Sequence, residues 1–119
     1  MGNDFIQLSG EDATALEFNL RGGSGCISVT ANVAPKLCSE FQEASTAKNN
    51  SNLLAKAKQI NDTLMPLHKA LFVESSPSPV KFGANLLKLC SDEVRLPLVK
   101  ITDETKKIVK SAMVHADLL

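Results

Sequence analysis

The stretch Phe5-Ile6-Gln7-Leu8-Ser9-Gly10-Glu11-Asp12, followed across a helical pattern by Gly22-Gly23-Ser24-Gly25-Cys26-Ile27-Ser28-Val29-Thr30, decides the fold. Phe5–Leu8 is a short apolar run ended by Ser9-Gly10 and reads as a buried strand. Cys26–Thr30 is rich in β-branched residues and reads as a second strand. Between them Ala13, Leu16 and Leu20 fall at helical spacing, and Gly22–Gly25 supplies the stop. The helix is expected to open at Ser9 or Gly10, with Glu11 and Asp12 in its first turn facing the positive end of the dipole. Strand, helix, strand makes a βαβ unit, whose strands run parallel and side by side. A parallel pair standing alone is unusual, because parallel sheets have several strands and two covered faces. The pair therefore reads as part of a larger sheet.

Beyond Thr30 the pattern turns helical. Pro35 suits the first turn of a helix whose buried stripe is Leu37, Cys38, Phe41 and Ala44. Residues 45–52 are polar and read as a helix–helix loop. Leu53, Ala57, Ile60, Leu64, Leu67 and Leu71 form the next stripe, which Pro66 is expected to kink or restart. Ser75-Ser76-Pro77-Ser78-Pro79 reads as a rigid extended turn. Leu86, Leu87 and Cys90 are assigned to a further helix, and Arg95-Leu96-Pro97-Leu98 to extended chain. Thr102-Asp103-Glu104 caps a last helix with Ile108, Val109, Ala112, Met113 and Ala116 on its apolar face.

With 119 residues, 44% of them hydrophobic, the chain can bury one modest core. Thirteen basic residues balance thirteen acidic ones, so no electrostatic footprint for nucleic acid or anionic lipid is present. Five phenylalanines without Trp or Tyr give no platform for stacking single strands. Cys26, Cys38 and Cys90 are widely spaced, with no CxxC, and His68 and His115 lie far apart, so no zinc site is expected. Three reduced, mostly buried thiols in a cytoplasmic protein are the plain reading. No apolar run reaches a membrane span, and the N-terminus lacks the regions of a signal peptide.

Each candidate for chemistry has a structural alternative. Gly22-Gly23-Ser24-Gly25 follows a helix and precedes a strand, the reverse of a phosphate loop, so it reads as a helix stop. Lys81 could form an imine only if desolvated or beside another cation, and its place after Pro79-Val80 favours a structural or solvent-facing lysine. Ser28 and Thr30 have no histidine nearby in sequence, Glu11 and Asp12 read as dipole partners, and His68 reads as a surface or packing residue. Nothing here assembles nucleophile, base and orienter.

Leu8-Ser9-Gly10-Glu11-Asp12 and Gly22 through Val33 resemble the seventh and eighth barrel strands of the dihydrodipicolinate synthase family. The resemblance continues through Leu64-Met65-Pro66-Leu67-His68-Lys69-Ala70-Leu71-Phe72-Val73-Glu74, Pro79-Val80-Lys81 and Arg95-Leu96-Pro97-Leu98 to Ala116-Asp117-Leu118-Leu119. Ser76 and Ser78 depart from it, standing where the family shows Asn and an apolar residue. The resemblance implies an α/β chain: the last two strands of a TIM (β/α)8 barrel with their helices over residues 1–45, then a C-terminal helical region over 46–119. It implies a lyase that condenses pyruvate with aspartate semialdehyde through a lysine imine, on the route to diaminopimelate and lysine, without cofactor or metal. Gly10 and Ile27 then line the pyruvate site, the Ile27 backbone carbonyl facing pyruvate. The imine lysine and the proton relay of the family belong to earlier strands, so these 119 residues alone are expected to be inactive. Two other outcomes stand beside this one: a split synthase paired with a separate N-terminal part, and a non-enzymatic helical interaction module. A homo-oligomer is compatible with all three; nucleic-acid and membrane partners are not expected.

Overall fold

The computed structural model describes residues 2, 4–47 and 49–119. It contains α1 (Ala15–Leu20), a 3-10 turn (Thr30–Asn32), α2 (Pro35–Thr46), α3 (Ser51–Ala70), α4 (Ser78–Leu86) and α5 (Asp103–His115). Helix α2 packs on α3, α3 on α5 and α4 on α5. Leu64, Leu67 and Leu71 from α3 and its end meet Val109 and Met113 from α5, with Val33 from the turn before α2. Gly83 of α4 lies so close that a Cβ there would sit 3.3 Å from both Met113 Sδ and Val33 Cγ1, which is how α4 seats on the core.

The expected pair of strands is corrected. Among the described residues no strand forms, and the parallel pairing is reduced to one bridge between Ser9 and Cys26. Ser9 N donates to Gly25 O (2.8 Å), Ile27 N to Ser9 O (2.9 Å) and Ser24 N to Gln7 O (2.8 Å). The direction and pairing of the βαβ reading survive in these bonds, but its ladder does not. Each segment has a neighbour on one side only, and an isolated pair of short strands is marginal. The apolar run accordingly stays in water: Phe5, Ile6, Leu8 and Ile27 are each half or more exposed.

Helix α1 also starts later than expected, at Ala15 rather than Ser9 or Gly10. Ser9 closes a local turn instead, its Oγ accepting from Glu11 N (3.1 Å) and donating to Glu11 O (3.0 Å). The glycine stop is as expected: Gly23 N reaches Phe18 O and Gly22 N reaches Asn19 O, with Gly22 at φ 101°. This is the left-handed helix end that glycine favours.

Helix α2 begins at Pro35, with Cys38, Phe41 and Ala44 buried and Leu37 half-buried. Helix α3 runs as one element past Pro66, capped by Asn50 Oδ1 accepting from Leu53 N (3.1 Å). Thr102 caps α5 through Thr105 N (3.3 Å). Four local readings change. The polar stretch read as a loop over 45–52 is helical at both ends, since α2 runs to Thr46 and α3 starts at Ser51. Helix α4 starts inside the proline-rich segment, at Ser78, and ends at Leu86, so Cys90 lies outside it. Residues 95–98 form a turn closed by Leu98 N to Arg95 O (3.0 Å), not extended chain. Of the three free thiols only Cys38 is buried; Cys26 is half-buried and Cys90 exposed.

Candidate functional site

The bridge between Ser9 and Cys26 brings Gly10 and Ile27 to the same edge of the molecule. Both are exposed; Gly10 has nothing within 4 Å of where a Cβ would be, and Ile27 is 71% exposed. The edge is therefore open, lined by small or apolar groups and by backbone. Among the described residues no donor reaches the Ile27 carbonyl oxygen, so this acceptor is free.

Directly behind the edge lies a buried polar cluster whose members come from three separated places in the chain. Asp12 is only 6% exposed. One of its carboxylate oxygens accepts from the Ser28 hydroxyl, and the other accepts from Val29 N (2.9 Å) and Thr30 N (3.2 Å). These two amides open the 3-10 turn and lack partners within it, so a carboxylate from elsewhere in the chain caps them. Thr30 is wholly buried, and its hydroxyl lies 2.7 Å from His68 Nδ1 on α3. Ser28 Oγ also accepts from Ala31 N (2.9 Å).

Asp12 is thus not a dipole partner of α1, and of the two readings of His68, surface or packing, the packing one holds, with a buried hydrogen bond added. Burial pushes the His68 imidazole below its ordinary 6.5, with the Asp12 charge opposing that shift. Burial likewise pushes the Cys38 thiol up to about 11, keeping it protonated. Cys26 is raised as well, first by burial and then by the Asp12 charge.

The other candidates stay apart from this edge. Lys81 is half-buried and donates to the Glu93 carbonyl in the loop after α4, away from this edge. Glu11 is exposed and accepts from the Thr14 hydroxyl (3.2 Å). A hollow of about 1090 Å³ beside Gly22–Ser24, Ala44–Ala47, Asn49–Ser51 and Leu54 touches neither Gly10 nor Ile27. Among the described residues no group of three or more His, Cys, Asp or Glu is placed to hold a metal, and no helix is long and apolar enough to cross a membrane.

Sequence reasoning named Ser28, Thr30, Asp12 and His68 one at a time but did not join them. Their partners lie 16 to 38 residues away, as in Asp12 to Ser28 and Thr30 to His68, beyond the reach of any local pattern.

The sequence profile of the dihydrodipicolinate synthetase family matches residues 1–116. The chain is 62% identical over 119 residues to a 4-hydroxy-tetrahydrodipicolinate synthase of Pelagibacter ubique, and 59% identical to one of Parvibaculum lavamentivorans. All of this chain is covered, but it spans about 40% of the length of each of these curated relatives. Among solved structures, the dihydrodipicolinate synthase of Thermotoga maritima superposes with a TM-score of 0.90 at 38% identity, covering 98% of this chain and 38% of that one. The chloride-inhibited dihydrodipicolinate synthase of Acinetobacter baumannii complexed with pyruvate gives 0.89 at 36% identity, covering 97% of this chain and 38% of that one.

Proposed function

The chain belongs to the dihydrodipicolinate synthetase family, and we propose that it forms the C-terminal share of a 4-hydroxy-tetrahydrodipicolinate synthase, which condenses pyruvate with aspartate semialdehyde. The observation that carries this is the superposition of nearly the whole chain on a synthase solved with pyruvate bound. In this reading residues 1–45 contribute the last two βα units of a TIM barrel, and residues 46–119 the helical region that follows it. The bridge at Ser9 and Cys26 is the remnant that grows into two full strands once barrel neighbours pair with both outer edges. The open edge at Gly10 and Ile27 lines the pyruvate site, at the strand ends where barrel enzymes place their chemistry.

The lysine that forms the imine, and the groups that move its protons, come from the share of the barrel outside these residues. The 119 residues alone therefore bind pyruvate poorly and do not turn over. The intact enzyme works in the cytoplasm, in lysine and diaminopimelate synthesis, as a homo-oligomer without cofactor. Phe5, Ile6, Leu8 and Ile27 present an apolar edge that the rest of a barrel would cover, whether it comes from the same chain or from a second one.

A graft tests the proposal. These 119 residues replace the matching part of the Pelagibacter ubique synthase, and condensation of pyruvate with aspartate semialdehyde is assayed. Turnover within about tenfold of the parent, roughly 1.4 kcal/mol in transition-state energy, is expected. A folded graft without turnover, or turnover by the 119 residues alone, would sink it.

A further inference from the structure

We propose that Asp12 is a positioning residue: its buried carboxylate fixes the direction of the Ile27 carbonyl and so sets the affinity for pyruvate. The inference rests on the synthase reading of the edge at Gly10 and Ile27. It goes beyond it, because Asp12 sits behind the edge and acts only through the backbone it holds.

The peptide that carries the Ile27 carbonyl is pinned on both sides. Before it, Ile27 N donates to Ser9 O at 2.9 Å. After it, Asp12 takes the Ser28 hydroxyl, Val29 N and Thr30 N. Little torsional freedom remains between the two anchors, so a free carbonyl oxygen is held in one direction before any ligand arrives. Three further features mark the anchor as built. Asp12 is 6% exposed and Thr30 is wholly buried. The Thr30 hydroxyl pairs with His68 Nδ1, which ties the same turn to α3. The carboxylate is matched in geometry to this turn, since amides and a hydroxyl supply its close hydrogen bonds and only the Cys26 thiol stands further off, at 4.0 Å.

Asn in place of Asp12 keeps the shape but turns one acceptor into an NH2 group facing donors. The Val29–Thr30 amides or the Ser28 hydroxyl then lose their partner, and the Ile27 peptide gains freedom. The substrate affected is the one the carbonyl faces.

The experiment uses the grafted synthase described above, with Asp12→Asn and Ser28→Ala, and reads two quantities. Steady-state kinetics is measured for both substrates, and amide hydrogen exchange is followed across residues 26–34. For Asp12→Asn the pyruvate KM is expected to rise about tenfold with kcat within about threefold, while the aspartate semialdehyde KM holds. Exchange at 28–30 should quicken while α3 and α5 keep their protection. Ser28→Ala, which leaves the carboxylate and both amide bonds in place, should show a smaller rise of the same kind. It carries the test if Asp12→Asn does not fold. Faster exchange at 28–30 with an unchanged pyruvate KM would reduce Asp12 to a structural residue and overturn the proposal. So would unchanged exchange, or an equal loss in both substrates. A parent graft that folds but does not turn over removes the synthase reading itself, and this inference with it.

Discussion

Phe5, Ile6, Leu8 and Ile27 keep half or more of their surface in water, whereas Leu64, Leu67, Leu71, Val109 and Met113 are sealed from it. Both sets are equally apolar; the difference lies in the backbone that carries them. A helix satisfies its own N–H and C=O groups, so the stripes of α2, α3 and α5 need only one another to close a core. A strand leaves its backbone groups pointing sideways and needs neighbours before its side chains gain a covered face. The same chain therefore holds a helical region that closes its own core and a segment that, among the described residues, has one bridge and an uncovered apolar face.

The largest effect expected from this contrast is in the complete region. Leu67→Ala removes a fully buried side chain from α3. It should cost about 2–5 kcal/mol in denaturant unfolding, as should Met113→Ala. A loss below about 1 kcal/mol at both sites would show that the helical core is loosely packed.

Hydrogen exchange on the 119-residue chain sharpens the contrast next. Amides of residues 5–9 and 24–27 should exchange fastest, with α3 and α5 slowest, because among the described residues three backbone bonds hold the bridge. Adding the rest of the barrel as a separate fragment should slow the first set and leave the second nearly unchanged. Equal protection throughout the isolated chain would mean that the N-terminal edge has closed on its own.

His68 joins the two regions, and its titration gives an effect of intermediate size. Its folded-state pKa is lowered by burial, so between that value and about 6.5 the unfolded chain binds more protons than the folded one. Stability contributed by the neutral imidazole is fully present above about 6.5 and is lost as pH falls toward the folded value. Asp12, which faces it through Thr30, opposes the shift, and Glu11 and Lys69 border the same hollow. Unfolding measured across this window should weaken toward acid in the native chain and much less in His68→Gln. An unchanged slope in that variant would place the pH dependence elsewhere.

The helices were legible because their signals are local. Pro35 and Thr102 mark starts, and apolar stripes such as Ile60, Leu64, Leu67 and Leu71 recur at the helical period, whereas the Asn50 cap of α3 was read as part of a loop. The strands were legible only as propensity: Cys26–Thr30 has the right residues, but what turns propensity into a strand is a neighbour, and among the described residues only Ser9 supplies one. The site was half legible. Resemblance pointed to Gly10 and Ile27, which the fold brings to one edge, while the clamp behind them was read as helix chemistry. Asp12 sits in a helix-start pattern, and nothing near it announces that its partners are Ser28, Val29 and Thr30.

A smaller gain is available within the helical region. Lys88 ends α4 at φ 60°, with Leu89 N reaching Ala84 O and Lys88 N reaching Asn85 O. This is the helix end where Gly22 serves α1, but here a side chain occupies the left-handed position. Lys88→Gly should raise stability by roughly 0.5–1 kcal/mol, seen as a higher denaturant midpoint. A drop would mean that the Lys88 side chain contributes more than its backbone costs.

The smallest effect is the sharpest test of the contrast. Ile27 is as apolar as Leu67, yet 71% of it is in water, so little transfer energy is lost when it becomes polar. Ile27→Ser in the 119-residue chain should change unfolding by no more than about 0.5 kcal/mol. It should also reduce self-association, because one apolar group is removed from an open edge. In the grafted synthase the same substitution meets a different environment. On the proposed synthase reading the segment gains barrel neighbours that cover Ile27, so the cost should rise well above its value in the isolated chain. Equal and negligible costs in the two contexts would mean that the edge stays open even in the full barrel, and that the N-terminal region was never waiting for a partner at this position.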